Sequence, residues 1–584
     1  MPTVPFKRGE QPKKTMKATI KNSVHYFIQQ LFKPRRTWLA LPLTVAGLLA
    51  PGQAQAVGTW TYVTTPAPDN ISLMLLLSDG TVMCQQSLGT NWYRLTPDTN
   101  GSYANGTWTT NAPMHDSRLY FFSQVLRDGR VLVGGGEYGT VTNSLSCEVY
   151  QPTNNTWTLT PNTGATISDG DSEVLPNGNV MVQPVNVPLG TLIYNIVSNT
   201  WSAGPALLVD QNEATWVKLP DDSILSIDDA STTTERYIPA LNQWIADANV
   251  PVNLYNAKSE LGGGYLLPNG KVFFIGATNQ TAIYTPTGTT NAGSWIIGPV
   301  IPNNLGANDA PSAMMVNGKI LCALGSSTNQ AGPSYFYEYD YVANAFTLVT
   351  NNPFGGTNYY APTFTETMLD LPDGTVLFAS YYSQLWIYQP DGAPLTNGKP
   401  VIKSVSKNLD GSYHVTGTLF DGISEGAVYG DDWQMNTDYP IARLTNSAGA
   451  VQYCRTYNWS SSSVMTGTNI LTTEITLPAG LTNGTYPLVI SANGISSDPF
   501  SLVVSSVNTM PTNIIATVTG TNLSLAWPAD HTGWRLLTQI NNLANGISAN
   551  TNDWATVANS ANTNQILVPI DRTKKTAFYR LIYP

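Results

Sequence analysis

The chain has 584 residues, of which only 11% are Asp, Glu, Lys or Arg, and a formal net charge of −10; an ordinary soluble protein carries about 25% charged residues. With 42% hydrophobic residues, 48 Gly, 39 Pro, 15 Trp and 29 Tyr, this is a composition of short strands and many turns, not of a disordered chain. Scarce Lys and Arg exclude nucleic acid as a partner, missing Glu/Lys-flanked heptads exclude a coiled coil, and the length predicts two to four domains.

Residues 1–56 hold nine basic groups against one acid, Glu10. An apolar run from Trp38 to Ala50 follows, and then Ala54-Gln55-Ala56. A basic segment, a short apolar segment and a small-residue site together predict an export signal peptide cut after Ala56. The run is shorter than the ~20 residues a transmembrane helix needs, and no later segment is long and apolar enough to span. Arg35-Arg36 also fits a twin-arginine export signal. The remaining chain has 19 basic and 37 acidic residues, so the expected product is acidic and secreted, periplasmic or bound to the cell surface.

From residue 57 a phrase recurs: an apolar strand, an Asp-Gly or Asn-Gly style turn, and a second apolar strand. The first turn residue is Asp79, Asp128, Asn177, Asp221, Asn269, Asn317 and Asp373. Such turns favour antiparallel hairpins, because positive φ is needed there. A second phrase follows most hairpins, pairing Tyr150 with Trp157, Tyr194 with Trp201, Tyr237 with Trp244 and Tyr284 with Trp295; Phe346 replaces Trp in the sixth unit. Four strands per repeat predict blades, and the spacing is kelch-like. The seventh unit lacks its closing Trp phrase, whereas Gly58 to Val63 carries an orphan one. The expected fold over 57–398 is an all-β, seven-bladed kelch-like β-propeller closed by that N-terminal strand. Alternating short strands over 399–505 predict an immunoglobulin-like (E-set) β-sandwich. Residues 508–584 predict a small C-terminal β-sandwich, fibronectin-like or a surface-sorting module.

An exported propeller followed by an immunoglobulin-like domain resembles the galactose oxidase and glyoxal oxidase family of copper-radical enzymes. The resemblance covers roughly 57–505 and rests on the repeats and on Tyr429-Gly430 through Asn436-Thr437-Asp438, which looks like the family's C-terminal loop. It implies one copper held by two His and two Tyr, one Tyr crosslinked to a Cys. Arg118-Leu119-Tyr120 matches the family's Arg-x-Tyr, which places Tyr120 at the crosslinked tyrosine. The other positions depart from the pattern: Asn70, Ile71 and Ser72 stand at the Cys, Phe364-Thr365 at the Tyr-His pair, and Trp433 or Gln434 at the last His. The fold is therefore expected without the copper chemistry, and no cofactor is predicted.

In a propeller, the residues entering each innermost strand crowd the axis. Eight positions before each turn stand Ile71, Tyr120, Asp169, Glu213, Leu261, Asp309 and Thr365, with Arg118, Asp116, Asp171, Asp210, Asn212, Glu260, Asn308 and Glu366 beside them. Tyr120, Asp169, Glu213, Asp309, Thr365 and Arg118 form the candidate axial site. Its carboxylates suit calcium at Asp169, Glu213 and Asp309, paired acid–base work on a glycan, or a solvated channel mouth. Asp431, Asp432, Trp433 and Gln434 form a second candidate, a loop whose ring and polar groups suit sugar, or which welds the two domains. Cys84 and Cys147 fall in neighbouring repeats and are placed to pair; Cys322 and Cys454 read as buried thiols. His414 and His531 read as structural.

The expected function is a non-catalytic, exported binder of extracellular carbohydrate, or of a cell-surface or matrix protein. A carboxylate- or calcium-dependent polysaccharide hydrolase or lyase is the first alternative. A copper-radical oxidase is the second.

Overall fold

A computed structural model describes residues 57–584 except 141–143, 169, 185–188, 210, 212, 257–259, 354, 409, 430–432, 506, 575 and 584. The expected signal peptide and the candidate residues Asp169, Asp431 and Asp432 lie outside the described residues. No helix among those described is long and apolar enough to cross a membrane.

The fold is all-β. Seven antiparallel sheets follow one another along the chain, six of four strands and one whose four-stranded meander is extended to seven strands. Six are continuous meanders: the first runs from Ile71–Leu76 to Thr107–Thr110, the second from Phe122–Val125 to Thr156–Leu159, and the third from Ser172–Val174 to Thr200–Ala203. The fourth runs from Val217–Lys218 to Gln243–Ala246, the fifth from Gly264–Leu266 to Ser294–Ile297, and the sixth from Ser312–Met314 to Ala345–Leu348. The seventh supplies only Thr367–Asp370, Val376–Ala379 and Trp386–Gln389, and the N-terminal strand Thr59–Tyr62 completes it, Trp60 standing opposite Tyr388. The first strands of the second and third, the fourth and fifth, and the sixth and seventh sheets pack on one another, and those of the first and seventh sheets are also in contact.

The recurring turn has a specific construction. In the first repeat Leu77 N–H donates to Thr81 O and Gly80 N–H donates back to Leu77 O. Only the second residue of each pair takes positive φ: Gly80, Gly129, Gly178, Asp222, Gly270, Gly318 and Gly374. This is a type I turn closed by a left-handed residue, so Gly is favoured at one position and not at both. The acid or amide before it accepts a hydrogen bond from the backbone two residues on, as Asp79 does from Thr81, Asn177 from Asn179 and Asp373 from Thr375. That bond explains Asp and Asn in every repeat.

The aromatic phrase is a cross-strand pair at the outer edge. Tyr150 faces Trp157 and Tyr194 faces Trp201, each with ring centroids 5.0 Å apart. In four of the units the Tyr Oη donates to an Asn five residues on: Tyr150 to Asn155, Tyr194 to Asn199, Tyr237 to Asn242, Tyr339 to Asn344; Tyr284 Oη donates to Asp247 instead. Those Asn residues occupy the left-handed turn position. The phrase thus fixes strand pairing and turn together.

Beyond Lys399 a single eight-stranded antiparallel assembly runs from Val401–Lys407 to Phe500–Val504 around Val415, Leu444, Cys454, Ile475 and Leu488. One hairpin leaves it. Gly426–Val428 pairs with Ser312–Met314, and Gln434–Asn436 pairs with Gly426–Val428, which extends the sixth sheet to six strands in a row. The last residues form two three-stranded sheets over Leu525, Trp527 and Leu536.

The pairing of Cys84 with Cys147 that the sequence leaves open is not made: all four cysteines are free and buried. Cys84 lies on the second strand of its sheet and Cys147 on the third strand of the next, its Sγ turned onto Gly134 within its own sheet. Burial pushes the Cys147 thiol up to about 12 and the other three higher still.

Candidate functional site

Segments that lead into several of the first strands, with loops that follow second strands, enclose a cavity of about 460 Å³ lined by Leu119, Tyr120, Glu137, Tyr138, Glu213, Glu260, Asp309, Gln330, Phe364, Tyr381 and Tyr429. Three residues eight positions before a hairpin turn reach it: Tyr120, Glu213 and Asp309. Each has positive φ (52°, 59° and 41°), as does Tyr381 (48°). Non-glycine residues seldom adopt this conformation, and four of them around one cavity mark a place where the backbone is bent to aim side chains.

The carboxylates of Glu213, Glu260 and Asp309 converge so that one oxygen from each lies within 4.8 Å of the others. Gln330 spans two of them, its Nε2 donating to Asp309 Oδ2 at 2.6 Å and to Glu260 Oε1 at 3.1 Å. Burial raises the Glu137 carboxyl above the ordinary glutamate range; a bond to Tyr138 opposes that shift and the charge of Asp309 adds to it.

The opposite wall is aromatic. Tyr381 Oη donates to Tyr120 Oη at 3.1 Å, and Tyr429 Oη donates to the Phe364 carbonyl at 3.0 Å. The Tyr120 ring stacks on Tyr429 at 6.2 Å and tilts on Trp433 at 5.4 Å. Tyr429 follows directly on the inserted strand Gly426–Val428, so the C-terminal half of the chain furnishes part of this wall.

Several expected site residues do not line it. Arg118 is 1% exposed and turns into the second sheet. Its guanidinium donates to the carbonyls of Gly135 and Ser146, to Ser146 Oγ and to Glu148 Oε1. It serves as a cross-link between loop and sheet, because a buried guanidinium must spend its donors on the surrounding backbone. Thr365 sits in a 3-10 turn, with Oγ1 donating to Pro362 O. Of the two alternatives for Trp433 and Gln434, their burial fits the joint between domains and not an exposed sugar platform. Trp433 is 1% exposed, and Gln434 Nε2 donates to Asp171 while its Oε1 accepts from Ser172 Oγ. They seat the inserted hairpin against the third sheet.

Glu137, Tyr138, Gln330 and Tyr381 were not anticipated. Each lies in the loop after the second strand of its sheet, or close beyond it. That position carries a usable signal, since the loop lies on the same side of the sheets as the entry to the first strand. Tyr138 is tied there through pairing with Leu119.

The donors facing the cavity are carboxylate, phenol and carboxamide oxygens. Copper is selected by imidazole and thiolate, and neither is among the described lining residues. His115 bonds Glu148, His414 bonds Glu474, and His531 bonds Asp530 and the Met510 carbonyl. The set does not fit a copper-radical centre. It fits a hard cation, which takes oxygen ligands.

No protein-family model and no curated protein matches the sequence. Among solved structures the chain is similar to a fungal alcohol oxidase of the AA5 family in complex with copper, at 14% identity and a TM-score of 0.47, over 77% of this chain and 100% of that one. A likeness at this distance carries no argument about what the cavity binds.

Proposed function

We propose that the seven sheets are the blades of a closed kelch-like β-propeller, followed by an immunoglobulin-like sandwich and a small C-terminal sandwich, and that the axial cavity holds a hard divalent cation. Calcium is the cation of choice, and the role is non-catalytic binding of an extracellular carbohydrate. The convergence of Glu213, Glu260 and Asp309 carries this reading. Calcium takes oxygens at about 2.3–2.6 Å, so two ligands of one ion stand at most about 5 Å apart, and the three carboxylates span no more than 4.8 Å. Tyr120, Tyr138, Tyr381 and Tyr429 add phenol rings whose faces suit the C–H faces of a sugar and whose hydroxyls suit its oxygens.

The test is calcium titration of the full chain by calorimetry, with terbium luminescence as a second reporter. One site per chain is expected, lost in Glu213→Gln and Asp309→Asn. Carbohydrate retention on a glycan array with and without chelator follows. Absence of calcium and terbium binding in the wild type would end the cation reading.

A second reading is favoured by Glu137, whose carboxyl is held above the ordinary glutamate range by burial and, less, by the nearby Asp309 charge. Such a group suits a general acid in a polysaccharide hydrolase. Against it, the three carboxylates crowd more closely than the about 5–5.5 Å pair of a retaining glycosidase or the about 6.5–9.5 Å pair of an inverting one. Release of reducing ends from polysaccharide, abolished by Glu137→Gln, would favour it.

A further inference from the structure

A second carboxyl cluster lies away from the cavity, where the inserted hairpin meets the third and fourth sheets. Glu173 stands on the first strand of the third sheet and Lys218 on the first strand of the fourth, 2.7 Å apart between Oε1 and Nζ. Glu425 precedes the hairpin and Asp438 follows it. Lys218 N–H donates to Glu425 Oε2 at 2.9 Å, and Lys218 Nζ lies 3.7 Å from Asp438 Oδ2. Asp421 accepts from Ser461 Oγ and Thr466 Oγ1 behind them. All five side chains belong to residues at most 8% exposed.

This geometry requires protons. Lys218 Nζ sits on Glu173 Oε1 and farther from Asp438, while Glu425 Oε2 accepts from the Lys218 backbone N–H, so the single amine cannot neutralise all the carboxyls. Four carboxyl groups share one amine, and three uncompensated buried charges would cost several kcal/mol each. Burial pushes Asp438 and Asp421 up to about 7 against the pull of Lys218, and it raises Glu425 well above the ordinary range with Glu173 adding to the shift.

Other charged groups face the cluster. Arg127 donates to Ser462 Oγ while the Ser462 carbonyl accepts from Lys218 Nζ, and Asp222 lies within its field. Tyr439 feels the Asp438 charge. Asp370, its carboxyl pushed well above the ordinary range by burial, points at Gly426, where a Cβ would meet both it and Thr437. Asp171 is held by Gln434. None of them supplies a second cation in ion-pair contact with the four carboxyls.

We infer that this cluster is a proton-operated latch. Loaded with protons, it clamps the hairpin Gly426–Asn436 onto the third and fourth sheets. As the pH rises and the protons leave, like charges accumulate beneath the hairpin and it loosens. Tyr429 sits on that hairpin, so the aromatic wall of the axial cavity is firm in acid and yields in alkali. The inference does not depend on what the cavity binds.

The direction follows from linkage. A carboxyl whose folded-state affinity for protons exceeds its unfolded one contributes stability that is complete below about pH 4 and is lost as the pH climbs through its folded value, here near 7 for Asp438 and Asp421. The experiment is hydrogen exchange with mass spectrometry on the full chain at pH 5.5, 7 and 8.5, corrected for intrinsic exchange, together with thermal melts. Amides of 421–438 should lose about tenfold or more in protection across that range, as one unit of linkage per group implies, while the outer strands of the seven sheets change less. The double variant Asp421→Asn, Asp438→Asn should flatten both profiles. A wild-type profile that is flat or rises with pH overturns the latch, as does an unchanged slope in the double variant. Protection lost equally in all seven sheets also overturns it. Should the double variant fail to fold, Asp421→Asn alone is read the same way, and the wild-type exchange pattern decides without it.

Discussion

The molecule holds two groups of acidic side chains that differ in what surrounds them. Glu213, Glu260 and Asp309 face a cavity of about 460 Å³, with a carboxamide laid across two of them. Glu173, Glu425, Asp438 and Asp421 are sealed under a hairpin with Lys218 among them. Composition is nearly the same and the chemistry is opposite. In the cavity, negative charge is available to a cation arriving from outside. In the sealed cluster the compensating cation is part of the chain, and the remaining charge is quenched by protons. Solvent access decides between them, because desolvation is what makes a carboxyl keep its proton.

The largest effect expected from breaking this contrast is at Lys218. Lys218→Met should lower stability by about 3–5 kcal/mol, the usual result of removing one partner of a buried ion pair; urea unfolding read by intrinsic fluorescence measures it. Glu213→Gln at the cavity should shift the same unfolding curve by no more than about 0.5 kcal/mol, because its side chain is only partly buried and the amide keeps its shape. Calcium binding should respond in the reverse order, lost in Glu213→Gln. If Glu213→Gln destabilised the chain as strongly as Lys218→Met, the cavity carboxylates would be structural.

Next comes pH, where the two clusters should move oppositely. Stability in the absence of added cation should fall between pH 5 and 8 as Asp421 and Asp438 lose their protons, both released near 7. Calcium affinity should rise with pH, as the Glu137 carboxyl on the cavity wall, held above the ordinary glutamate range by burial, gives up its proton. Melting temperature and calorimetric affinity measured on the same samples test the pair; parallel trends would remove the distinction.

The smallest effect is expected at the wall. Tyr120→Phe removes the hydroxyl that accepts from Tyr381 but keeps the stacked ring, and should cost about 0.5–1.5 kcal/mol, the worth of one hydrogen bond. A thermal melt measures that cost. Carbohydrate retention should weaken more than stability does.

The sequence made the repeats easy to see, because each turn reports its own geometry: Asp79 and its counterparts pair with a left-handed neighbour, and the Tyr–Trp phrases report strand register. The same regularity located Tyr120, Glu213 and Asp309, which hold a constant distance from those turns. Glu137, Gln330 and Tyr381 were hidden because the loops that carry them differ in length from sheet to sheet. Arg118 points the wrong way because the positive φ at Tyr120, two residues on, turns that side chain inward instead, and Thr365 lies in a 3-10 turn that takes its hydroxyl. Trp433 and Gln434 looked like a surface loop because polar and aromatic residues mark both an exposed platform and a buried joint. The Glu173–Lys218–Glu425–Asp438 cluster had no linear trace. Its members come from three separate stretches, and only the insertion of one hairpin into the sixth sheet unites them.

The strand Thr59–Tyr62 carries a kinetic cost. It is synthesised before the seven sheets, and its partner Trp386–Gln389 comes after six of them. Until then Trp60 has no Phe378 or Tyr388 to pack on, and the last sheet shows a bare edge. Joining segments so far apart in sequence comes late and slowly. The chain therefore passes through a nearly complete state with one three-stranded sheet, which is the form most open to proteases and to pairing with a second chain.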